Sequence, residues 1–296
     1  MLLNKKFLVR SLMVLFVLLG ILAYGQIDYT ISNTIINKHS IWAEFFNMFG
    51  EVPAMFGLLL GTTILYGLRN KEVLWKNILC SIIGLLFMFQ SSFMICFMPI
   101  KYIFEFSKGG VPQGFKILSF VLAAIVFISS VVIVNRISQE KLRNFKKIAI
   151  VFILLVVLEI LIVNIFKVVW GRPRMRSIES IEQFKYWYQI SGPTANNEFM
   201  SFPSGHTANG FVILAYSMFL PYFKKIKPNL FISFALTWGG LVALSRVVLG
   251  AHFLSDVLVG GYITILVFYT LNHIFIKDKI VGDLAERKDK NECRFK

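Results

Sequence analysis

Apolar stretches long enough to cross a bilayer recur along the whole chain, at residues 7–25, 53–68, 77–97, 116–135, 148–170, 206–223, 230–249 and 254–275. A transmembrane helix needs about 17–25 such residues, and a helix satisfies its own backbone hydrogen bonds in lipid. The pattern therefore predicts an all-α, polytopic helical membrane protein of about eight transmembrane helices, with a catalytic helical-bundle core. Basic turns at 69–76, 136–147 and 224–229 alternate with an outer loop at 98–114, broken by Gly109-Gly110 and Pro112, and with the longest loop, 171–203. Residues 27–50 mix polar positions with Trp42, Phe45, Phe46 and Met48, the pattern of an interfacial helix on the outer surface. The first stretch reads either as a signal peptide, because Ala23-Tyr24-Gly25 resembles a small-residue cleavage site, or as a retained anchor, the preferred reading.

Composition agrees: 56% of residues are hydrophobic, 30 are Phe, and the mean hydropathy is +0.69, above the 45–50% apolar share of typical soluble domains. The net charge of +15 could suggest nucleic acid, but no basic domain stands outside the spans. About two-thirds of the 31 Lys and Arg fall on the side that holds both termini. The positive-inside rule then predicts a multi-pass cell-membrane protein with both termini cytoplasmic. Lys167, Arg172, Arg174 and Arg246 break this rule, falling on the outer side beside the histidines, where they suit a ligand better than a topology signal. The expected organisation is an N-terminal transmembrane region (1–147), a core holding the motifs (148–276) and a charged cytoplasmic tail (277–296). Cys80, Cys96 and Cys293 have no metal-site spacing and read as unpaired thiols.

Three short segments carry the chemistry. Pro203-Ser204-Gly205-His206 opens the sixth stretch, so Ser204 and Gly205 stand at a helix start, where free backbone N–H groups and the dipole favour an anion. In the second, Ser245-Arg246 is followed by His252 and Asp256, four residues apart, which would share a face if the eighth helix begins near His252. Asp256 could then orient the imidazole, leaving the other ring nitrogen as nucleophile or base, or the pair could merely cap the helix. His206 has no carboxylate in its own turn. The third segment runs from Lys167 through Gly171 to Arg172-Pro173-Arg174-Met175. Arginine forks and a lysine point charge together suit phosphate, though Lys167 alone could simply snorkel to the interface. Glu159 lies mid-span, about two turns deeper than Lys167, and reads as packing or as a protonated, hydrogen-bonded group. His39 and His273 read as structural. Phe184, Tyr186, Trp187, Tyr188, Phe199 and Phe202 in loop 171–203 either shape a lipid entry or anchor the loop.

In this order and spacing the three segments resemble the type 2 phosphatidic acid phosphatase family, membrane lipid phosphatases related to vanadium haloperoxidases. The resemblance covers about residues 150–275. Its pattern is Lys, six residues, Arg-Pro; then Pro-Ser-Gly-His; then Ser-Arg, five residues, His, three residues, Asp. The second and third parts are complete here. In the first, Lys167 aligns with Arg174 but Met175 replaces the proline; matching Arg172-Pro173 instead puts Ile165 at the lysine position. The resemblance implies that Lys167, Arg174, Ser204, Gly205 and Arg246, with Arg172 as a further candidate, bind phosphate. It implies that His252 attacks phosphorus, Asp256 orients it, and His206 protonates the leaving group and then activates water. It implies an outward-facing, metal-independent enzyme without a cofactor, acting on a lipid phosphate or diphosphate: polyprenyl diphosphate, phosphatidate or phosphatidylglycerol phosphate. Members typically have six spans, and the extra N-terminal spans have no role assignable from the sequence. A phosphotransferase, or a non-catalytic lipid- or phosphate-binding transporter, is the competing reading, although binding alone needs no oriented nucleophile.

Overall fold

The structure is a computed structural model that describes residues 5–104, 109–223 and 225–277; the charged tail expected beyond 277, with Cys293, lies outside the described residues. Ten α-helices appear among the described residues: α1 (Lys5–Ala23), α2 (Ile27–Thr34), α3 (Ile41–Phe49), α4 (Val52–Gly67), α5 (Leu74–Ile103), α6 (Gln113–Arg136), α7 (Gln139–Trp170), α8 (Gly205–Phe211), α9 (Pro228–Val248) and α10 (Leu254–Asn272). Seven segments are long and apolar enough to cross a membrane, with α3 and α4 running on as a single one, Ile41–Gly67. The sixth expected span, the one not among these seven, is helical but changes type: seven α-helical residues of α8 lead into eleven of 3-10 helix, Val212–Tyr222. The tighter helix rises more per residue, so the segment reaches about 32 Å, enough for a hydrocarbon core of about 30 Å.

Apolar side chains divide between the interior and an outer surface suited to lipid. Val151, Phe152, Leu155 and Val156 of α7 pack against Ala54 and Leu58 of α4, Val212 and Ala215 of the 3-10 segment, and Phe268 of α10. A second cluster joins α4 to α5, α6 and α7 through Leu59, Met88, Val134 and Leu142. By contrast α1 and α6 turn Met13, Phe16, Ile117, Phe120 and Ile125 outward. In water that surface would be a liability; in a bilayer it has a matching solvent.

Residues 27–50 do not lie along the surface as one interfacial helix. They form α2 and α3, and α2 turns Asp28 and Ser32 fully inward. The reason is the start of α10, whose orphan backbone donors need acceptors: Ser32 Oγ accepts from Leu254 N (3.1 Å) and Asp28 from Ser255 N (3.1 Å). Loop 171–203 leaves α7 at Gly171 (φ +58°), where an added Cβ would sit 2.4 Å from the Gly192 carbonyl. Its aromatics anchor it. Phe184 packs on Phe253, Phe202 on Trp170, and Trp187 Nε1 donates to the Leu19 carbonyl of α1 (3.1 Å).

Candidate active site

Asp256 sits in the first turn of α10, but His252 precedes the helix, so the two share no helix face as the spacing suggested. Asp256 instead caps the helix start, accepting from Phe253 N (3.0 Å) through Oδ2. The same oxygen accepts from Ser201 Oγ (2.5 Å) and lies 3.5 Å from His252 Nδ1, while Ser201 Oγ is 3.4 Å from that nitrogen. Ser201 and Asp256 thus hold the Nδ1 edge of the ring and leave Nε2 for chemistry. Burial pushes the His252 imidazole down to about 3 against the upward pull of Asp256, so the ring is neutral at pH 7.

The other oxygen, Oδ1, accepts from Arg172 Nη1 (2.5 Å). Arg172 is fully buried and every guanidinium nitrogen is engaged: Nη1 also with Ser255 Oγ (2.7 Å), Nη2 with Asp28 (2.9 Å), and Nε with the Lys185 carbonyl (2.9 Å). Its guanidinium stacks over Phe253, 4.3 Å from the ring centroid. The structure therefore brings Arg172 to Asp256 and not among the cations expected to hold phosphate. Those are Lys167, Arg174 and Arg246. Lys167 Nζ would stand 3.3 Å from a Cβ added to Gly205, so it lies over the start of α8, and Arg174 and Arg246 are both within electrostatic reach of it and of His252. Arg174 is steered by Asn197, donating from Nε to its carbonyl (2.9 Å) and from Nη2 to its side chain (3.1 Å). Arg246 Nη1 donates to Asn47 of α3, while its Nε is buried with no partner among the described residues. The carbonyl of Arg246 accepts from His252 N (3.2 Å), tying the end of α9 to the loop that carries the histidine.

Ser204 caps α8, its Oγ accepting from Thr207 N (3.4 Å) and also from Thr207 Oγ1 (3.0 Å), and its N–H donates to the Asp256 carbonyl (3.0 Å). The approach is close because α10 has Gly260 there: an added Cβ would meet the Ser204 carbonyl at 2.3 Å. His206, one residue into α8, does have a carboxylate, supplied from far away in sequence. Glu51, between α3 and α4, places Oε1 3.2 Å from His206 Nδ1. His206 Nε2 is buried and without a partner among the described residues.

All the expected residues except Arg172 thus gather where α7, α8, α9 and α10 meet. Sequence reading missed Asp28, Asn47, Glu51 and Ser201. A signal for two of them existed, since a carboxylate inside or beside a span is a functional candidate by default, but Asp28 and Glu51 fell in and beside a stretch taken for a surface helix. The extra N-terminal elements, without a role in the sequence, bring three of these four. Glu159 is buried with both carboxylate oxygens unpartnered among the described residues, so the hydrogen-bonded alternative finds no donor there. Among the described residues no three His, Cys, Asp or Glu side chains gather as a metal-binding group.

Residues 148–279 match the PAP2 superfamily, over the segment that contains all three motifs. That match is consistent with the type 2 phosphatidic acid phosphatase resemblance. Over 82 residues the chain is 38% identical to phosphatidylglycerophosphatase B of Bacillus subtilis (strain 168), a match covering 26% of this chain and 40% of that protein. No solved structure matches the chain.

Proposed function

We propose that this PAP2 protein is an integral-membrane lipid phosphatase that hydrolyses a phosphomonoester or diphosphate through a phosphohistidine on His252, without a metal. The observation that carries the reading is the set of buried donors left unsatisfied at one place, His206 Nε2 and Arg246 Nε, beside Lys167 and an imidazole oriented by Asp256. Buried polar groups are ordinarily paired, and a phosphoryl group would pair these. Lys167, Arg174, Arg246 and the Ser204-Gly205 helix start bind its oxygens, neutralising charge that a metal would otherwise carry. His252 Nε2 attacks phosphorus as the ester or anhydride P–O bond breaks, and His206 gives its Nε2 proton to the departing oxygen. Water then attacks phosphorus, losing a proton to His206 Nε2, and the P–N bond breaks to release phosphate.

The cation asymmetry supports eight crossings, cytoplasmic termini and a site facing outward. We take 148–276 as the phosphatase core and 1–147 as a region that completes its site, with 277–296 as a cytoplasmic tail. The name of the Bacillus relative makes phosphatidylglycerol phosphate the first substrate to try, ahead of phosphatidate and polyprenyl diphosphate. The test is phosphate release by purified protein in mixed micelles across these lipids, with strong chelator and with vanadate. Turnover that survives the chelator, is inhibited by vanadate and disappears in His252→Ala together with acid-quenched protein-bound phosphate is the expected result. Lipid binding without phosphate release refutes the reading in favour of a binding protein or transporter; release that requires added magnesium refutes metal independence.

A further inference from the structure

The motif pattern provides His252 with a carboxylate and leaves His206 without one. The fold provides it from outside the PAP2 segment. Glu51 Oε1 lies 3.2 Å from His206 Nδ1 and accepts from Asn209 Nδ2 (3.3 Å); Oε2 accepts from the Tyr102 hydroxyl of α5 (3.1 Å). Tyr102 also meets the imidazole edge-on, with centroids 5.0 Å apart and planes at 84°. Gly50 packs close on the far side of the ring, where an added Cβ would stand 2.9 Å from His206 Nε2. The ring is therefore gripped at Nδ1, while Nε2 is buried without a partner among the described residues.

We propose that Glu51 is the positioning residue of His206: the N-terminal helices supply a second carboxylate–imidazole pair, so that proton transfer, like nucleophilic attack, is done by an oriented histidine. The inference rests on the phosphatase reading and deepens it. In the first step the P–O bond to the leaving group breaks and the His206 Nε2 proton passes to that oxygen; the ring, now neutral, keeps its Nδ1–H on Glu51. In the second, His206 Nε2 takes a proton from water as the water oxygen bonds to phosphorus and the His252 N–P bond breaks. The imidazolium that exists before the first step and after the second is stabilised by the Glu51 charge, and Nδ1 contact alone fixes which nitrogen faces the phosphoryl. The charged and titratable groups facing this pair are Tyr102 from α5, Arg246 from α9, and Lys167 and Glu159 from α7. Arg246 and Lys167 disfavour an imidazolium, which is why a carboxylate is needed to hold one here.

The experiment uses the full chain in micelles and Glu51→Gln, which keeps the size and an acceptor but not the charge. Two substrates are compared in single turnover: a lipid phosphate with a poor alkoxide leaving group, and a nitrophenyl phosphate that leaves without protonation. Glu51→Gln should slow phosphorylation of His252 by the lipid roughly 10²–10⁴-fold, the range of general acid–base catalysis, with KM within a few-fold. It should slow phosphorylation by the nitrophenyl ester less than about tenfold, since that step needs little acid assistance. Glu51→Asp, which keeps the charge, should recover part of the lipid rate and shows whether loss follows charge or folding. Equal slowing of both substrates, or a lipid rate like the unmodified protein's, overturns the inference. If His206→Ala shows the leaving-group dependence and Glu51→Gln does not, this inference fails and the phosphatase reading stands. If the unmodified protein releases no phosphate from either substrate, both fail.

Discussion

Arg172→Met tests whether Arg172 belongs to the scaffold behind Asp256 or to the phosphate pocket. In the structure Arg172 answers two carboxylates, Asp28 at 2.9 Å and Asp256 at 2.5 Å, with all three side chains at most 1% exposed. Methionine fills similar volume but strands both acids. Breaking a buried pair by removing one partner costs about 3–5 kcal/mol, because the remaining charge is uncompensated. Two stranded acids put the expected loss at the upper part of that range, offset where one of them takes up a proton. Arg172→Lys reaches one acid well and not both, and should fall between. Adding Asp28→Asn to Arg172→Met removes one stranded charge, so the double variant should be more stable than Arg172→Met alone, a coupling of neighbours that independent sites lack. The assay is thermal unfolding in detergent, read as loss of monodisperse protein on size exclusion, alongside KM and kcat of the surviving fold. An Arg172→Met protein as stable as the parent, with KM raised many-fold, would place the guanidinium on the substrate and refute the argument.

In a background with Cys80, Cys96 and Cys293 changed to Ser, Lys185→Cys should react with an impermeant thiol reagent on intact cells and Lys225→Cys only after permeabilisation; the reverse pattern overturns the orientation. Glu198 is held at about 2 by its hydrogen bond from Arg176, so the stability it contributes is present above about pH 4.5 and lost as pH falls towards 2. At 40% side-chain exposure that contribution is screened to below about 1 kcal/mol, and Glu198→Gln should flatten the acid limb of an unfolding-against-pH curve only slightly; a large flattening contradicts this. Glu159→Leu should raise the unfolding temperature, since a buried acid without a donor costs about 1–3 kcal/mol, and a fall would mean that Glu159 has a partner in the membrane.

Which parts were legible follows from how local their causes are. Span positions came through because hydropathy acts over a single helix: α9 and α10 lie where the pattern puts them, and α7 ends as expected but starts at Gln139, taking in most of the basic connection expected at 136–147. Residues 205–222 kept their place while changing helix type, which apolar composition does not encode. The His252–Asp256 relation was legible as a contact but not as a geometry: the spacing fits a helix face, and the chain instead puts His252 in the turn and uses Asp256 as the cap. Least legible were Glu51, Asn47 and Asp28. They meet His206, Arg246 and Arg172 across separations of 155, 199 and 144 residues, and no periodicity links such pairs. Arg172 was ambiguous for a related reason, since an arginine beside a phosphate motif and an arginine behind one read alike until the acids are placed.

The placement of those acids has an electrostatic logic. Lys167, Arg174 and Arg246 repel one another at close range in a low-dielectric surrounding, and only an anion among them offsets that. A carboxylate bonded directly to these cations would compete with the ligand. The structure keeps Asp256 and Glu51 one step away, each on an imidazole. Asp256 turns one oxygen to the His252 side and the other to Arg172, which satisfies the charge without spending a pocket cation. Glu51 does the same on His206, its other oxygen taken by a neutral phenol. Both carboxylates therefore act on imidazoles, and on the reading proposed above Lys167, Arg174 and Arg246 are the groups that meet phosphate. Placing Glu51 on His206 needs an element beyond the four helices of the motifs, which the α3–α4 turn supplies, while Asp28 of α2 holds the Arg172 that backs Asp256.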